Sequence, residues 1–326
     1  MLEKCFSIAT IDPKLLDCRY FIASIYKLCD IYPKNQSNMK LEQWVLFIDM
    51  LGYREINGEI NSDKDANDFL NFMKSNEKIF SDQNNPEIKS LYQTETFDLY
   101  KYYEIQTTFV SDSLIINFKP LEIEESLPEK LRMMHSANTL FIIMNRLQAY
   151  IFNCLKEHSI LVRGGISNKY CLIRDNYAVG DGVIDAYLNE SSRAIYPRIV
   201  LSESITKNSK FIEAFNFISK RIYDRDTFLK VDDDNVYYLD YLKYNVRIIF
   251  TTMIGDIQAL KTVNGFLVMH KDIITQKLID LDQKISLEND DKKLDVLNKI
   301  KAKIIWLKDY HNDSMKEAIP ELKIEY

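Results

Sequence analysis

The segment Trp44-Val45-Leu46-Phe47-Ile48-Asp49-Met50-Leu51-Gly52-Tyr53 constrains the chain more than any other. Its short apolar run has the length of a buried strand, and it stops at a carboxylate followed by a glycine turn. A carboxylate at the mouth of a sheet can hold a hard divalent cation that neutralises phosphate oxygens. Asp49 could equally cap the helix that follows, and on this stretch alone both readings stay open.

The flanking periodicities predict what surrounds that strand. Leu15, Leu16, Tyr20, Phe21, Ile25 and Leu28 predict a packing helix over 12–32, followed by a polar, turn-rich stretch over 31–39. Ala66, Phe69, Leu70, Met73 and Phe80 share one face of a helix after the strand, and 81–87 reads as a surface loop. Two β-rich runs, 103–110 and 113–118, meet at Ser111-Asp112-Ser113, which predicts a hairpin with a second carboxylate at its bend. Met133, Met134, Ala137, Leu140, Phe141, Met144, Leu147 and Ile151 give a long amphipathic helix that covers the sheet. A strand over 160–167 meets the double glycine Gly164-Gly165, and 170–179 reads as one more short strand. Gly180-Asp181-Gly182-Val183 opens a helix carrying Val183, Ala186, Tyr187, Glu190 and Ala194, and 196–202 is the last strand of the set.

The order strand, helix, strand, strand, helix, strand predicts an α+β fold with a ferredoxin-like βαββαβ core, extra hairpins, and N- and C-terminal helices. In that topology the first and third strands are neighbours at the sheet centre. Asp49 ends one and Asp112 starts the other, so the two carboxylates are expected to share one metal site. Further on, 211–222 reads as a helix. A hairpin over 229–242 encloses Asp232-Asp233-Asp234-Asn235, a solvated turn rather than a calcium loop because EF-hand spacing is missing. From 268 onward the chain is charged and helical, as two antiparallel helices.

Composition excludes several function classes. A net charge of -6 and a pI near 5.4 oppose general affinity for nucleic acid or an anionic membrane. The five cysteines (Cys5, Cys18, Cys29, Cys154, Cys171) form no C-x-x-C pair and read as reduced packing residues. No secretory leader pattern and no apolar run of about 20 residues is present, which predicts a cytoplasmic protein. His135, His158, His270 and His311 lack metal spacing and read as structural or surface residues, with His311-Asn312 as a helix-end or interface pair.

Phe47-Ile-Asp49-Met-Leu-Gly52-Tyr53, Ser111-Asp112-Ser113, Arg163-Gly-Gly165-Ile166 and Gly180-Asp181-Gly182-Val183 stand in the order found in the class III nucleotidyl cyclase catalytic domain, which this chain resembles over roughly 42–202. With Arg163-Gly164-Gly165-Ile166-Ser167, Tyr196-Pro197-Arg198-Ile199, Tyr238-Leu239-Asp240-Tyr241-Leu242 and Trp306-Leu-Lys-Asp-Tyr310-His311-Asn312, it is more similar still to the pyrimidine cyclases of bacterial Pycsar antiphage defence. The resemblance implies a helical segment over 1–40, a cyclase-like catalytic domain over 41–255 and a helical extension over 256–326. It implies a pyrimidine ribonucleoside triphosphate (UTP or CTP) as substrate, cyclic UMP or cyclic CMP as product, and a separate effector that the product activates. Two Mn²⁺ or Mg²⁺ ions would be bridged by Asp49 and Asp112, with the Met50 carbonyl as a further ligand. Backbone N–H groups of Leu51, Gly52, Tyr53 and Arg54 would hold the triphosphate. Tyr53 would pack near substrate or serve as a plain core tyrosine. The resemblance also implies a homodimer with the active site between head-to-tail subunits, and no nucleic-acid or membrane partner.

The chain departs from the purine cyclases of that family in one respect. Ile184 and Leu188 occupy positions where those enzymes carry an Asn and an Arg for the transition state. Arg163, Arg54 and Arg198 are the candidates to replace them, with Arg163 the expected catalytic cation. A palm-type synthetase of oligonucleotide signals and a non-catalytic nucleotide-binding module are the alternatives.

Overall fold

β1 (Trp44–Leu51) sorts the molecule into two faces. Successive side chains of a strand point to opposite sides. Trp44, Leu46, Ile48 and Met50 enter the main core, whereas Val45 and Phe47 enter a second, smaller cluster. By the same alternation Asp49 belongs to the smaller face.

The computed structural model describes residues 40–81, 97–122, 127–222, 228–242, 246, 257–316 and 319–326. The predicted helix over 12–32, the polar stretch 31–39, nearly all of the loop 81–87, and Cys5, Cys18 and Cys29 lie outside them.

The architecture is mixed α and β, built on a seven-stranded sheet of order β2-β3-β1-β4-β7-β9-β8. β2 (Tyr103–Val110), β3 (Ser113–Pro120), β1 and β4 (Leu161–Ser167) are mutually antiparallel neighbours, so the first and third strands are adjacent as expected. β7 (Ile199–Leu201) pairs parallel to β4, and β8 (Leu229–Val231) and β9 (Tyr237–Leu239) form the predicted hairpin at the edge. β7 is shorter than the 196–202 run because Pro197 has no N–H to give the ladder.

A short helix α1 (Tyr53–Glu59) and α2 (Asp63–Ser81) lead from β1 toward β2. In α2, Phe69, Phe72, Met73, Asn76 and Phe80 are buried, while Leu70, expected on that face, is exposed because it lies about 100° around the helix from Phe69. A one-turn helix α3 (Leu99–Tyr102) precedes β2.

The 30-residue α4 (Glu129–His158) connects β3 to β4 and carries the main core. It is buried more widely than one amphipathic stripe predicts: Ile142 and Ile143 are enclosed too, beside the paired rings of Phe141 and Phe228. α5 (Asp181–Leu188) covers the smaller face of the sheet, followed by α6 (Glu203–Thr206) and α7 (Ser209–Ile222).

The predicted single strand over 170–179 is a separate two-stranded hairpin, β5 (Leu172–Arg174) and β6 (Tyr177–Val179). Asp175 and Asn176 turn it with φ of 49° and 68°, the two left-handed positions a tight hairpin needs. α8 (Ile257–Leu287) and α9 (Asp291–Met315) form the expected C-terminal helical hairpin, with Asp290 capping α9 by accepting the N–H groups of Lys292 and Lys293. Leu267, Ile274, Leu278, Ile304 and Leu307 join the main core, so the hairpin is docked on the sheet domain. Among the described residues no helix is long and apolar enough to cross a membrane.

Candidate functional site

The end of β1 and the β2–β3 turn close on each other. Asp49 stands opposite Ser113 in the ladder, and the Met50 N–H donates to the Asp112 carbonyl at 3.3 Å. Val110 and Ser113 pair across a turn of two residues, in which Ser111 adopts a φ of 59°. Strand register therefore brings the Asp49 and Asp112 backbones next to each other. Burial pushes the Asp49 carboxyl above the usual carboxylate range and the negative charge of Asp112 pushes it further, against the pull of Arg163.

The chain then leaves the sheet through Gly52, whose φ of 91° would strain any residue with a Cβ. Its carbonyl accepts the N–H groups of Glu55 and Ile56, the first bonds of α1. The amides of Tyr53 and Arg54 head the helix ahead of those bonds. The Tyr53 ring packs on Phe69 with centroids 5.8 Å apart, which makes it a packing residue, and Arg54 is exposed.

Arg163 faces Asp49 directly across β1 and β4. Its Nε–H donates to Asp49 Oδ2 at 3.1 Å, and Glu190 Oε1 lies 2.5 Å from the same nitrogen as an ion-pair partner without hydrogen-bond alignment. Glu190 is 2% exposed. Burial raises its carboxyl to about 6; the charges of Asp49 and Asp112 act in the same direction, and those of Arg163 and Lys303 oppose them.

Gly165 makes the approach of Glu190 possible. A Cβ there would sit 2.1 Å from the Ala186 carbonyl oxygen and 2.8 Å from the Glu190 nitrogen. At that point α5 widens into a π-helical turn, Asn189–Arg193, closed by the Ala194 N–H on the Asn189 carbonyl. Such widened turns are frequent at functional sites. The sequence reading treated Glu190 only as part of a helix face. The available signal was an acid on the apolar side of the pattern Val183, Ala186, Glu190, Ala194.

Two expectations need correction. Arg198 is not open to a substrate: its side chain is 1% exposed, paired with Asp232 at 2.6 Å and with Asp234, and boxed by the rings of Tyr196, Tyr238 and Trp306. The acidic turn is accordingly no merely solvated loop, since two of its carboxylates neutralise a buried guanidinium and Asp232 also accepts the Trp306 Nε1–H at 2.8 Å.

Around that guanidinium three segments distant in sequence interlock. Tyr196 stacks on Trp306 with centroids 5.0 Å apart, Tyr310 donates to Asp240 at 2.7 Å, and the Leu242 N–H donates to the Tyr310 hydroxyl at 2.9 Å. Ile184 and Leu188 are exposed. His311 is a buried residue inside α9, hydrogen-bonded to His270, and Asn312 clamps the backbone of Ile324.

The donor set can be tested against a divalent pair. Among the described residues no group of three or more His, Cys, Asp or Glu side chains could hold a metal alone. The Asp49 and Asp112 carboxylates, near enough to influence each other's charge, and the Met50 carbonyl offer only hard oxygen donors. That is the incomplete shell Mg²⁺ or Mn²⁺ accepts when phosphate oxygens and water supply the rest. Burial is the main reason the Asp49 carboxyl is raised, with Asp112 adding to it against Arg163, and a bound cation would favour its ionised form. The residues fit the group. In comparison with known proteins, no protein-family model matches the chain and no curated protein matches it, so the functional reading rests on the residues themselves.

Proposed function

We propose that this chain is a metal-dependent pyrimidine nucleotide cyclase that converts UTP or CTP to the 3′,5′-cyclic monophosphate and pyrophosphate, its product serving as a signal to a separate effector. The observation that carries this is the closure of Asp49 onto Asp112 through register and the Met50–Asp112 bond. The antiparallel order β2-β3-β1-β4, with helices linking β1 to β2 and β3 to β4, supports a ferredoxin-like cyclase core.

The reaction forms a bond from ribose O3′ to the α-phosphorus, breaks the bond from that phosphorus to the β-phosphate bridging oxygen, and releases a proton with pyrophosphate. Asp49, Asp112 and the Met50 carbonyl would hold the two divalent ions, which when bound would lower the pKa of the 3′-hydroxyl and neutralise the triphosphate. Arg163 fixes the Asp49 carboxylate by occupying Oδ2, leaving Oδ1 turned toward Ser113 at 3.5 Å. Glu190 pairs with the same Nε of the guanidinium, so Arg163 acts first as a positioning residue. Amides at the head of α1 receive phosphate oxygens as the family resemblance implies.

The homodimer belongs to the same proposal. Tyr170, Tyr177, Val179, Ile184, Tyr187 and Leu188 are exposed apolar side chains of α5 and the β5–β6 region, beside the smaller sheet face that carries Asp49. A second copy covering them would complete the site.

The test is incubation of the purified chain with each of the four ribonucleoside triphosphates and Mn²⁺, with products read by chromatography and mass spectrometry. Cyclic UMP or cyclic CMP with pyrophosphate is expected. Linear or multiply charged oligonucleotides would point to a synthetase, and nucleotide binding without turnover to a non-catalytic module.

A further inference from the structure

We propose that Lys303 of α9 binds the polyphosphate of the substrate, supplying from the C-terminal hairpin the cationic contact that Ile184 and Leu188 do not provide. This deepens the cyclase proposal and rests on it for the identity of the substrate. The placement follows from how α9 is anchored. Trp306 stacks on Tyr196 and donates to Asp232. Tyr196 leads into Arg198, whose carbonyl accepts the Gly164 N–H at 3.1 Å, next to Arg163. Lys303 lies one helical turn before Trp306 and so on the same side of the helix. Its charge is felt by Glu190, and in return it feels Arg163, Glu190 and Asp49.

Lys303, like Lys277 of α8, makes no direct pair, but of the two only Lys303 feels the charges of Glu190 and Asp49. On α9 Lys299 pairs with Asp295 and Lys301 with Asp282. Arg163 is taken up by Asp49 and Glu190, and Arg198 by Asp232 and Asp234. Lys303 is half-buried and makes no hydrogen bond or ion pair with any described residue. Burial and the nearby Arg163 charge lower the Lys303 pKa, and the charges of Glu190 and Asp49 offset this only in part. A polyanion entering beside Asp49 supplies the rest. Lysine suits the role as a compact, mobile charge that phosphate oxygens can meet from several directions.

The test titrates the 326-residue chain and its Lys303→Met, Lys303→Arg and Lys299→Met variants with inorganic tripolyphosphate and Mn²⁺ by calorimetry. Cyclisation kinetics and thermal unfolding are measured on the same samples. Lys303→Met is expected to weaken tripolyphosphate about 10-fold or more and to lower kcat/KM by a similar factor, the size of one lost charge-assisted contact. Lys303→Arg restores most of both, Lys299→Met changes neither, and unfolding temperatures stay together. Equal tripolyphosphate affinity in wild type and Lys303→Met, including no binding by either, overturns the inference. Lys303-dependent binding in a protein that cyclises no triphosphate would keep this inference and remove the cyclase proposal. Turnover that is unchanged in Lys303→Met would do the reverse.

Discussion

Arg163 donates its Nε–H to Asp49 Oδ2 at 3.1 Å from the position directly opposite on the neighbouring strand. Strand register, rather than a flexible reach, sets this contact, so the carboxylate near the end of β1 is held in one orientation before any ligand arrives. Preorganisation of this kind is what a site for charge-transfer chemistry needs, because no reorganisation is required when charge develops.

Asp49→Ala and Asp112→Ala are each expected to lower cyclisation by at least about 100-fold, since either removes half of the paired carboxylate ligands. Both variants should stay folded: Asp112 sits in a turn, and Arg163 keeps Glu190 as a partner when Asp49 is gone. Pyrophosphate release with circular dichroism checks this, and full activity in either variant would refute the assigned site.

Glu190 gives the stability of the protein a definite pH signature. Its folded carboxyl sits at about 6 against an ordinary 4.5, so the folded state holds that proton more tightly. The contribution is full below 4.5 and is lost as pH rises through about 6. Glu190→Gln lacks the titration, so relative to wild type it should gain about 1.5 kcal/mol between pH 4.5 and 6.5. Urea unfolding across that range measures the difference, and parallel curves would contradict it.

Gly165→Ala should destabilise the protein by about 3 kcal/mol or more, because the new methyl meets the Ala186 carbonyl backbone, which cannot yield as a side chain would. The expected signature is a lowered unfolding midpoint, and loss of any Glu190-dependent pH effect. A wild-type midpoint would mean that α5 and its π turn do not press on β4.

A chain of hydrogen bonds fixes the protonation of two buried histidines. His311 Nε2 faces the Leu322 carbonyl at 2.9 Å and must donate, so its Nδ1 accepts the Nδ1–H of His270 at 3.0 Å. His270 Nε2 then accepts the Tyr241 hydroxyl at 2.8 Å, leaving both rings neutral. Burial lowers both pKa values, so the unfolded chain takes up protons below about 6.5 that the folded one excludes, and stability falls as the pH falls. His270→Leu should cost about 2 kcal/mol at pH 7.5 by orphaning Tyr241 and His311. That deficit should shrink by about 1 kcal/mol between pH 6.5 and 5.5. A deficit independent of pH would contradict the neutral pair.

Local pattern carried the parts of the site that are local. The apolar run ending at Asp49, the polar bend at Asp112 and the double glycine each leave a mark within a few residues, and the neighbouring of β1 and β3 follows from the order of elements. The β5–β6 turn leaves little mark in the sequence because Asp175-Asn176 takes two left-handed positions without the glycine that usually announces them. Glu190, Lys303 and the enclosure of Arg198 depend on how α5, the β8–β9 turn and α9 pack, and no window of sequence contains those partners together. Arg198 looked available because a guanidinium beside Pro197 gives no hint that Asp232 and Asp234 return to it.

The most direct measurement is a crystal of the protein with Mn²⁺ and a non-cleavable α,β-methylene pyrimidine triphosphate, with anomalous data collected at the manganese edge. Two peaks between Asp49, Asp112 and the phosphates are the predicted result. An empty map at those carboxylates, or manganese bound elsewhere while the nucleotide is ordered, would contradict the central claim.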